Sequence, residues 1–480
     1  MKGHVPTPPS VVDLMVSKLF DGREPTSRET LLDPGCGEGA FIEGVLSFCK
    51  THHLSPPAIT GVEMNPALVD EANGRLHGQK NVQIVQADFL FHSLPEFDYV
   101  IGNPPYVPIT GLSLEERRRY RANYATAVER FDLYLLFFER SLKLLAPNGR
   151  LCLITPEKFE YVHSATPLRR LLGNYAVEEV DHVPEDTFPG LVTYPTITTV
   201  VGRPPAKGYE THITLRDRKT VKVQLPKDGS SWNPVINQSG TSEPSAFTLK
   251  ELCLRVSCGI ATGADSMYVH AETSLPGLLK DFAYRTIAGR QLGPYGPTEV
   301  HTSNVMLIPY DMDGNLLPEG KMGPLLTFLS RPDIARHLRD RTCVTLGGRE
   351  WYRFHDNAPL QDILRPKILC KDITQEPHFW ADREGTLVPR HTVYYIVPKD
   401  GVDLEMLLAY LNSDEAVTWL KANCQRAANG FYRVQSSVLK LLPVPERLLS
   451  STVRQQTAGR RRDGRLLAST ARQTQITASV

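Results

Sequence analysis

No two cysteines of this sequence have the C-x-x-C spacing that is typical of zinc and redox sites. The eight cysteines stand apart, at positions 36, 49, 152, 253, 258, 343, 370 and 424. No apolar run is long enough to cross a bilayer, and no secretory signal is evident. The sequence therefore predicts no metal centre, no disulfide framework and no membrane partner, and a reducing cytoplasm is the expected compartment.

An overall excess of charge is also lacking, but the charges are unevenly distributed. The chain holds 54 Lys and Arg against 53 Asp and Glu. Residues 1–202 hold 18 basic against 25 acidic side chains, and residues 203–480 hold 36 against 28. The Arg-rich tail at 447–480 is predicted to be disordered, and it explains part of this excess as a solvated terminus. The alternative is an acidic cofactor domain joined to a domain that meets polyanions.

Strand and helix patterns alternate over residues 30–201, and such alternation predicts a doubly wound, mostly parallel sheet. The predicted strands are Thr30–Asp33, Ile59–Glu63, Val82–Val85, Asp98–Gly102, Arg150–Thr155, Ala176–Asp181 and Thr196–Val201. We divide the chain into a catalytic domain at 1–202, a linker or lobe edge at 203–246 with one or two short strands, and a mixed α/β domain at 247–446.

A glycine-rich turn follows the first predicted strand, but its spacing differs from that of the dinucleotide fingerprint. Gly35, Gly37 and Gly39 allow a tight turn and a close approach of a ligand to the backbone. No Gly-Lys-Ser/Thr follows, and Asp33 ends the strand with a carboxylate that a phosphate-binding loop would not favour. The turn therefore favours a ligand that carries an ammonium group over a nucleotide phosphate.

Two more acidic residues lie at the carboxyl ends of the next two strands, where Glu63 is the last strand residue and Asp88 comes three residues after the strand. Glu63 is placed to bind ribose hydroxyls, and Met64 can pack on an adenine face. Asp88 can accept a hydrogen bond from an adenine amino group, and Phe89 can pack on the ring. Each acid alone is typical of a solvated strand end. Asp33, Glu63 and Asp88 make three acids in register after three successive strands, and together they indicate S-adenosylmethionine as the cofactor.

The sequence Asn103-Pro104-Pro105-Tyr106 opens the loop after the fourth strand. The side-chain oxygen of Asn103 and the carbonyl of Pro104 can each accept one N–H of a planar amino group, and prolines offer no competing donor. Both bonds localise the nitrogen lone pair, while Tyr106 can stack on a flat ring. The motif predicts alkylation of an amide-like or exocyclic amino nitrogen. A Pro-Pro loop closed by a core tyrosine is the alternative.

In this order, the motifs resemble those of the gamma-class N6-adenine DNA methyltransferases, the TaqI-like group. The resemblance covers most of residues 4–446 and implies a Rossmann-like, seven-stranded methyltransferase domain followed by a target-recognition domain. It implies that Thr7, in a threonine-proline segment ahead of the glycine turn, contacts the cofactor, and that Asp33 and Gly35 hold its methionine part. It also places Phe188 as a second aromatic against the target base, although a core role is the alternative. Phe137 is expected to be a core residue near the same pocket.

The resemblance further implies that residues 247–446 read the sequence of double-stranded DNA. The candidate DNA contacts are Arg285, Arg290, Arg365, Lys367, Arg426 and Arg433. The basic run at 117–121, which follows the Asn-Pro-Pro-Tyr loop, is expected to be a solvated helix face, with phosphate contact as the alternative.

The expected activity is thus site-specific methylation of adenine N6 in DNA, in a restriction-modification or related defence system. We expect a monomer in the cytoplasm, close to the nucleoid, and leave open a separate restriction endonuclease. The alternatives are an RNA adenine methyltransferase, a protein glutamine methyltransferase, since a glutamine amide poses the same chemical problem, and a catalytically silent binding module.

Overall fold

The described residues of the first half of the chain contribute nine strands to one sheet. The computed structural model describes residues 5–184, 187–188, 194–237, 247–293, 300–345, 347–427 and 430–446. They fold as two compact units, which lie within Met1–Gln238 and Ser239–Val480. The strands of the first unit are β1 Thr30–Pro34, β2 Ala58–Glu63, β3 Val82–Gln86, β4 Phe97–Gly102, β5 Leu145–Pro156, β6 Ala176–His182, β7 Pro195–Val201, β8 Thr211–Thr214 and β9 Thr220–Val223.

Helices cover both faces of this sheet. The helices of the first unit are α1 Pro9–Phe20, α2 Ala40–Thr51, α3 Pro66–Arg75, α4 Leu114–Asn123, α5 Leu133–Lys143, α6 Thr166–Leu172 and α7 Asn233–Ile236, with 3-10 turns at Ile109–Gly111, Glu157–Glu160 and His163–Ala165. Alternate residues of a strand point to opposite faces. Accordingly, Leu31 and Tyr99 share a core with α1 and α2, whereas Leu32 and Val100 share one with α5 and α6. This two-sided burial explains why the strands read as continuous apolar runs.

The strand order is β3-β2-β1-β4-β5-β7-β6-β8-β9. Strands β1 to β5 pair in parallel, and β7 runs antiparallel between β5 and β6. After β3 the chain crosses back to place β4 beside β1, so the direction of winding reverses between these two strands. In such sheets, ligands bind outside the carboxyl ends at the reversal point. Asp33 at the end of β1 and Asn103 just after β4 therefore lie on the same edge.

All seven strands expected from the sequence are present, which confirms the mostly parallel α/β fold. The sheet is larger than expected, because β8 and β9 extend it beyond β6. Both strands lie within 203–246, and Trp232 of the same segment is buried against Phe159 at a ring distance of 5.4 Å. The described part of that segment thus belongs to the first unit and lies at one edge of its sheet.

The second unit is a mixed α/β structure, as expected. Its described strands are β10 Phe247–Thr248, β11 Cys253–Cys258, β12 Val269–Ala271, β13 Ala283–Ile287, β14 Asn304–Leu307, β15 Lys367–Lys371, β16 Ile373–Thr374, β17 Phe379–Asp382, β18 Val388–Pro389, β19 Val393–Pro398, β20 Gln425–Ala427, β21 Phe431–Arg433 and β22 Pro443–Val444. They form the sheets β11-β19-β15-β17, β12-β14-β13-β18 and β16-β21-β20, and the pair β10-β22.

Short helices surround these sheets. They are α8 Leu249–Leu252, α9 Asp265–Tyr268, α10 Gly323–Leu329, α11 Pro332–Arg339, α12 Thr342–Thr345, α13 Leu360–Ile363, α14 Leu404–Leu411, α15 Asp414–Asn423 and α16 Ser436–Leu439, with 3-10 turns at Glu272–Ser274, Gly277–Phe282, Gly289–Gln291 and Glu319–Lys321. Among the described residues of the whole chain, no helix has the length and apolar character that a bilayer crossing requires.

Candidate active site

A cavity of about 680 Å³ opens at the carboxyl edge of the sheet, beside the ends of β1 and β4. Its size falls within the range of roughly 300–1,000 Å³ that is usual for small-molecule sites. The residues expected at the site that line this cavity are Thr7, Gly35, Gly37, Glu63, Met64, Asp88, Phe89, Asn103 and Pro105. The fold therefore brings together groups from the N-terminal segment and from four successive strand ends.

The glycine turn forms the backbone wall of the cavity. Gly35, Gly37 and Gly39 have φ values of 81°, 54° and 89°, in the left-handed region that favours glycine. The amides of Gly35 and Cys36 donate to the carbonyl of Val62, at 2.8 and 3.0 Å. The turn is thus tied to the end of β2, and it presents backbone rather than side chains to a ligand.

Asp33 lies at the base of this wall and does not itself line the cavity. Its side chain is fully buried, and neither carboxylate oxygen has a hydrogen-bond partner among the described residues. Burial, together with the nearby charge of Glu63, raises the pKa of Asp33 well above its ordinary value. A buried carboxylate without a partner is unfavourable. A ligand with an ammonium group would supply the missing donor and the opposite charge, so this acid fits the amino-acid end of S-adenosylmethionine.

Glu63 is held by three backbone amides. One oxygen accepts from Gly37 at 3.1 Å, and the other accepts from Met64 and Asn65 at 2.9 and 2.8 Å. The carboxylate is thereby fixed between the glycine turn and the start of α3, and it retains acceptor capacity for hydroxyl groups. Met64 lines the cavity although 67% of its surface is exposed. An exposed thioether beside a fixed carboxylate fits the packing of a purine next to a ribose.

Part of the cavity wall is aromatic. The rings of Phe89 and Phe137 lie 5.1 Å apart, and both residues are buried while lining the cavity. Asp88 accepts a hydrogen bond from the amide of Leu90 at 3.0 Å, and its other oxygen is 4.0 Å from the guanidinium of Arg119. Phe137 therefore serves both as a core residue and as part of the site.

The side chain of Asn103 is oriented by the N-terminal segment. Its amide nitrogen donates to the carbonyl of Val5 and to the hydroxyl of Thr7, both at 3.1 Å. The amide oxygen is buried, lacks a hydrogen-bond partner within the described ranges, and belongs to a residue that lines the cavity. An orphaned buried acceptor costs free energy until a donor meets it. This oxygen is therefore positioned to accept an N–H from a bound substrate.

Tyr106 lies next to this site but does not line the cavity. Its hydroxyl donates to the carbonyl of Ile154 at 3.2 Å, and its ring meets the edge of Tyr134 at 6.2 Å. Burial, with a smaller effect of Asp132, raises the pKa of Tyr106, so its hydroxyl stays protonated. Pro104 is buried beside it. The stacking role of Tyr106 stays a prediction.

Comparison with known proteins identifies two regions of the chain. Residues 63–188 match the Eco57I restriction-modification methylase family, and residues 330–444 match the TaqI-like C-terminal specificity domain. The two regions are similar to the methylase and specificity parts of restriction-modification enzymes, and they support a site-specific DNA methyltransferase. The cofactor of these enzymes is S-adenosylmethionine, and the unpartnered carboxylate of Asp33 and the fixed carboxylate of Glu63 fit its ammonium group and its ribose hydroxyls.

Curated relatives of the methyltransferase agree with this assignment. It is 29% identical to the type II methyltransferase M.XhoI of Xanthomonas vasicola over 394 residues, covering 75% of this chain and 71% of that protein. Identity to M.BstVI of Geobacillus stearothermophilus is 26% over 519 residues, covering 93% and 90%. A solved structure of the type IIL restriction-modification enzyme MmeI in complex with DNA has a TM-score of 0.58 at 12% identity, covering 90% of this chain and 63% of that chain, which shows a shared fold.

Phe188 of the methyltransferase is not at the cavity. It is 2% exposed and belongs to the hydrophobic core shared with α1 and α2. Its position is the one expected if Phe188 is a core residue. Its role against the target base stays a prediction.

The sequence did not reveal every residue of the site. Leu112, Glu116 and Tyr120 line the cavity, because the segment after the Asn-Pro-Pro-Tyr loop folds back over it. Ser113 caps α4, since its hydroxyl accepts from the amide of Glu116 at 3.1 Å, and Ser-x-x-Glu is a recognisable helix start. That signal marks the helix, but which of its faces meets the cavity depends on the fold.

In the second unit, the expected DNA contacts have very different surroundings. Lys367 is fully buried and pairs with Asp382, so placing it on a DNA-binding surface was wrong. Arg433 pairs with Asp372 at 3.3 Å, and Arg285 donates to the carbonyl of Thr302 at 3.4 Å. Arg365 is half-buried, and Arg290 and Arg426 are exposed; these residues stay predictions as DNA contacts.

Proposed function

We propose that this methyltransferase transfers a methyl group from S-adenosylmethionine to N6 of adenine in double-stranded DNA, at one short recognition sequence. The observation that carries the proposal is the orientation of Asn103. Its amide nitrogen is engaged by Val5 and Thr7, so its unpartnered oxygen is the atom left for the substrate. An exocyclic amino group is the kind of donor that this oxygen requires.

The chemistry that the bound cofactor supplies is an electrophilic methyl group on sulfur. Asn103 and the carbonyl of Pro104 each accept one N–H of the amino group, which keeps the nitrogen lone pair out of conjugation with the ring. The new bond joins this nitrogen to the methyl carbon as the carbon–sulfur bond breaks, with its electrons staying on sulfur. The methylated nitrogen then loses one proton to solvent. The protein contributes mainly alignment and oriented acceptors.

A base within a duplex cannot reach this site. The target adenine must leave the stack, which costs a few kcal/mol. Stacking on an aromatic ring contributes about 1–3 kcal/mol per base, and Tyr106, directly after the two prolines, is our candidate for this contact. In the described structure its hydroxyl donates a hydrogen bond to the carbonyl of Ile154 near the end of β5. We therefore expect the base to reach the ring from the side of Asn103.

Duplex DNA is favoured over the alternatives by the second unit. Residues 330–444 match a specificity domain, and the relatives M.XhoI and M.BstVI are named type II methyltransferases. The fold is shared with an enzyme solved in complex with DNA. These similarities favour neither an RNA adenine nor a protein glutamine substrate. We therefore propose that residues 247–446 read the recognition sequence and that the enzyme acts as a monomer on cytoplasmic DNA, with any partner endonuclease on a separate chain.

The test is methylation of DNA in living cells. The enzyme is expressed in a host that lacks DNA methylation, and its DNA is read by single-molecule sequencing that reports modified adenine. We expect N6-methyladenine at one short motif, abolished by Asn103→Ala. The matched control is Asn174→Ala, an exposed asparagine at the amino edge of the sheet, which should methylate as the parent does.

Three results would contradict the proposal. Normal methylation by Asn103→Ala would remove the role of that side chain, and methylcytosine at the motif would show a different acceptor atom. If the DNA stays unmodified although the purified protein binds S-adenosylmethionine, the substrate is RNA or protein instead of DNA.

A further inference from the structure

Helix α4 forms a wall of the cofactor cavity and also an outer surface of the first unit. The capping box of Ser113 and Glu116 fixes its start. On its inner face, Glu116 and Tyr120 line the cavity, and the Tyr120 ring stacks on Phe91 at 5.9 Å. The helix is therefore anchored at the site where the cofactor and the substrate meet.

The opposite face of α4 carries two arginines that are exposed to solvent, Arg118 and Arg121, which we call the outer arginines. They are three residues apart and so are neighbours on one helical surface. Among the ion pairs formed by described residues, none includes Arg118 or Arg121. The guanidinium of Arg121 donates to the backbone carbonyl of Glu129 at 3.1 Å and lies 6.0 Å from the centre of the Phe131 ring, and neither contact brings a negative charge to it.

A third arginine of the run has a different role. The guanidinium of Arg119 lies 3.5 Å from the centre of the Phe91 ring and 4.0 Å from Asp88. It thus packs on Phe91 and lies beside Asp88, which lines the cavity, although 55% of its side chain is exposed. The run at 117–121 is thus not a uniform solvated face, because one member supports the site while the outer arginines point away from it.

This basic surface stands in an acidic part of the chain. Residues 1–202 hold 18 Lys and Arg against 25 Asp and Glu, yet residues 117–130 hold five Arg against one Glu. The surrounding negative charge repels a polyanion, so a local positive surface decides where one can approach. The helix that carries this surface also lines, through Glu116 and Tyr120 on its other face, the cavity that contains Asn103 and Pro105.

We propose that the outer arginines bind phosphates of the DNA strand that carries the target base. This inference rests on the proposed function and extends it by assigning a phosphate contact to the catalytic unit, in addition to any contacts of the second unit. The contact carries no sequence information, because phosphates are the same at every step. Its role is to place the backbone beside the cavity so that the adenine next to it can enter.

The experiment measures how binding depends on salt. The duplex carries the motif identified by sequencing, and the full-length variant Arg118→Ala/Arg121→Ala is compared with the parent. Affinity falls as salt rises, and each lost phosphate contact makes the slope of log affinity against log salt shallower by about 0.9. We therefore expect the slope of the double variant to be shallower by about 1.8. The Michaelis constant for DNA should rise at the same time. The control Arg28→Ala/Lys50→Ala removes two exposed charges at the amino edge of the sheet and should leave the slope unchanged.

A second pair of variants separates charge from folding. Arg118→Lys/Arg121→Lys keeps both charges and should keep most of the slope, and the cofactor affinity of the alanine variant, measured without DNA, shows whether α4 is intact. An unchanged slope in an alanine variant that binds the cofactor normally overturns the inference, and binding of an acidic protein at this surface would then be the alternative. If the parent itself methylates no motif, the proposed function fails, which is a distinct result.

Discussion

Thr7 and Asn103 are joined by a hydrogen bond across 96 residues of sequence. The hydroxyl of Thr7 accepts from the amide nitrogen of Asn103 at 3.1 Å, and Thr7 also lines the cofactor cavity. A residue expected to contact the cofactor thus also decides which end of the asparagine amide faces the substrate. The segment ahead of the glycine turn is in this way part of the methyl-transfer site.

Replacing Thr7 by Val should slow methyl transfer, because Val keeps the shape of the side chain but cannot accept from Asn103. One hydrogen bond contributes about 0.5–1.5 kcal/mol, so the single-turnover rate should fall by about 2- to 10-fold. The measurement uses saturating cofactor and DNA. Thr7→Ser retains the hydroxyl and should retain most of the rate. Equal rates for the Val variant and the parent would show that Val5 alone orients the amide.

Replacing Asp33 by Asn should weaken cofactor binding while stabilising the free enzyme. The carboxylate is buried without a partner, so removal of its charge should raise the unfolding free energy by about 1–3 kcal/mol. Loss of the charged contact with the ammonium should raise the dissociation constant by about 10- to 100-fold. Calorimetric titration and urea unfolding measure the two effects. Unaltered affinity would show that the ammonium binds elsewhere.

Cofactor affinity should decrease as the pH falls through the raised pKa of Asp33. Burial raises that pKa, so the carboxylate becomes neutral at a higher pH than an exposed aspartate, while the cofactor ammonium stays charged. The folding stability of the free enzyme depends on pH in the opposite direction. The folded state holds this proton more tightly than the unfolded state, and the Asp33 contribution to stability is therefore lost as pH rises through the raised pKa. Titrations at successively lower pH should show the loss of cofactor affinity in the parent and a flatter profile in Asp33→Asn, whose amide does not titrate.

Replacing Lys367 by Met should destabilise the enzyme. This lysine forms a buried ion pair with Asp382, and breaking a buried pair costs about 3–5 kcal/mol. The amides of Thr386 and Leu387, which donate to Asp382 at 3.2 and 2.9 Å, should keep the loss toward the lower value. Urea unfolding of the full chain is the measurement. Lys250→Met changes an exposed lysine of the same unit and should shift stability by less than about 0.5 kcal/mol.

Much of the site could be predicted from strand ends. Asp33 and Glu63 end predicted strands, Asn103 directly follows one and Asp88 comes three residues after one. Parallel strands place their carboxyl ends on one edge. Local sequence patterns are enough to place these residues. They are not enough for Lys367, which looks like an ordinary surface charge in the sequence, because its partner Asp382 is contributed by another strand.

The sequence by itself determined the parallel sheet, the glycine turn and the acceptor loop, because periodicity, glycine spacing and proline act within a few residues. Only the tertiary structure decided which atoms of those residues are free. The oxygen of Asn103 faces a substrate because Thr7 and Val5 hold its nitrogen. The ring of Tyr120 faces the cavity because α4 folds back onto Phe91. Such long-range contacts depend on how distant segments meet, and local patterns do not record them.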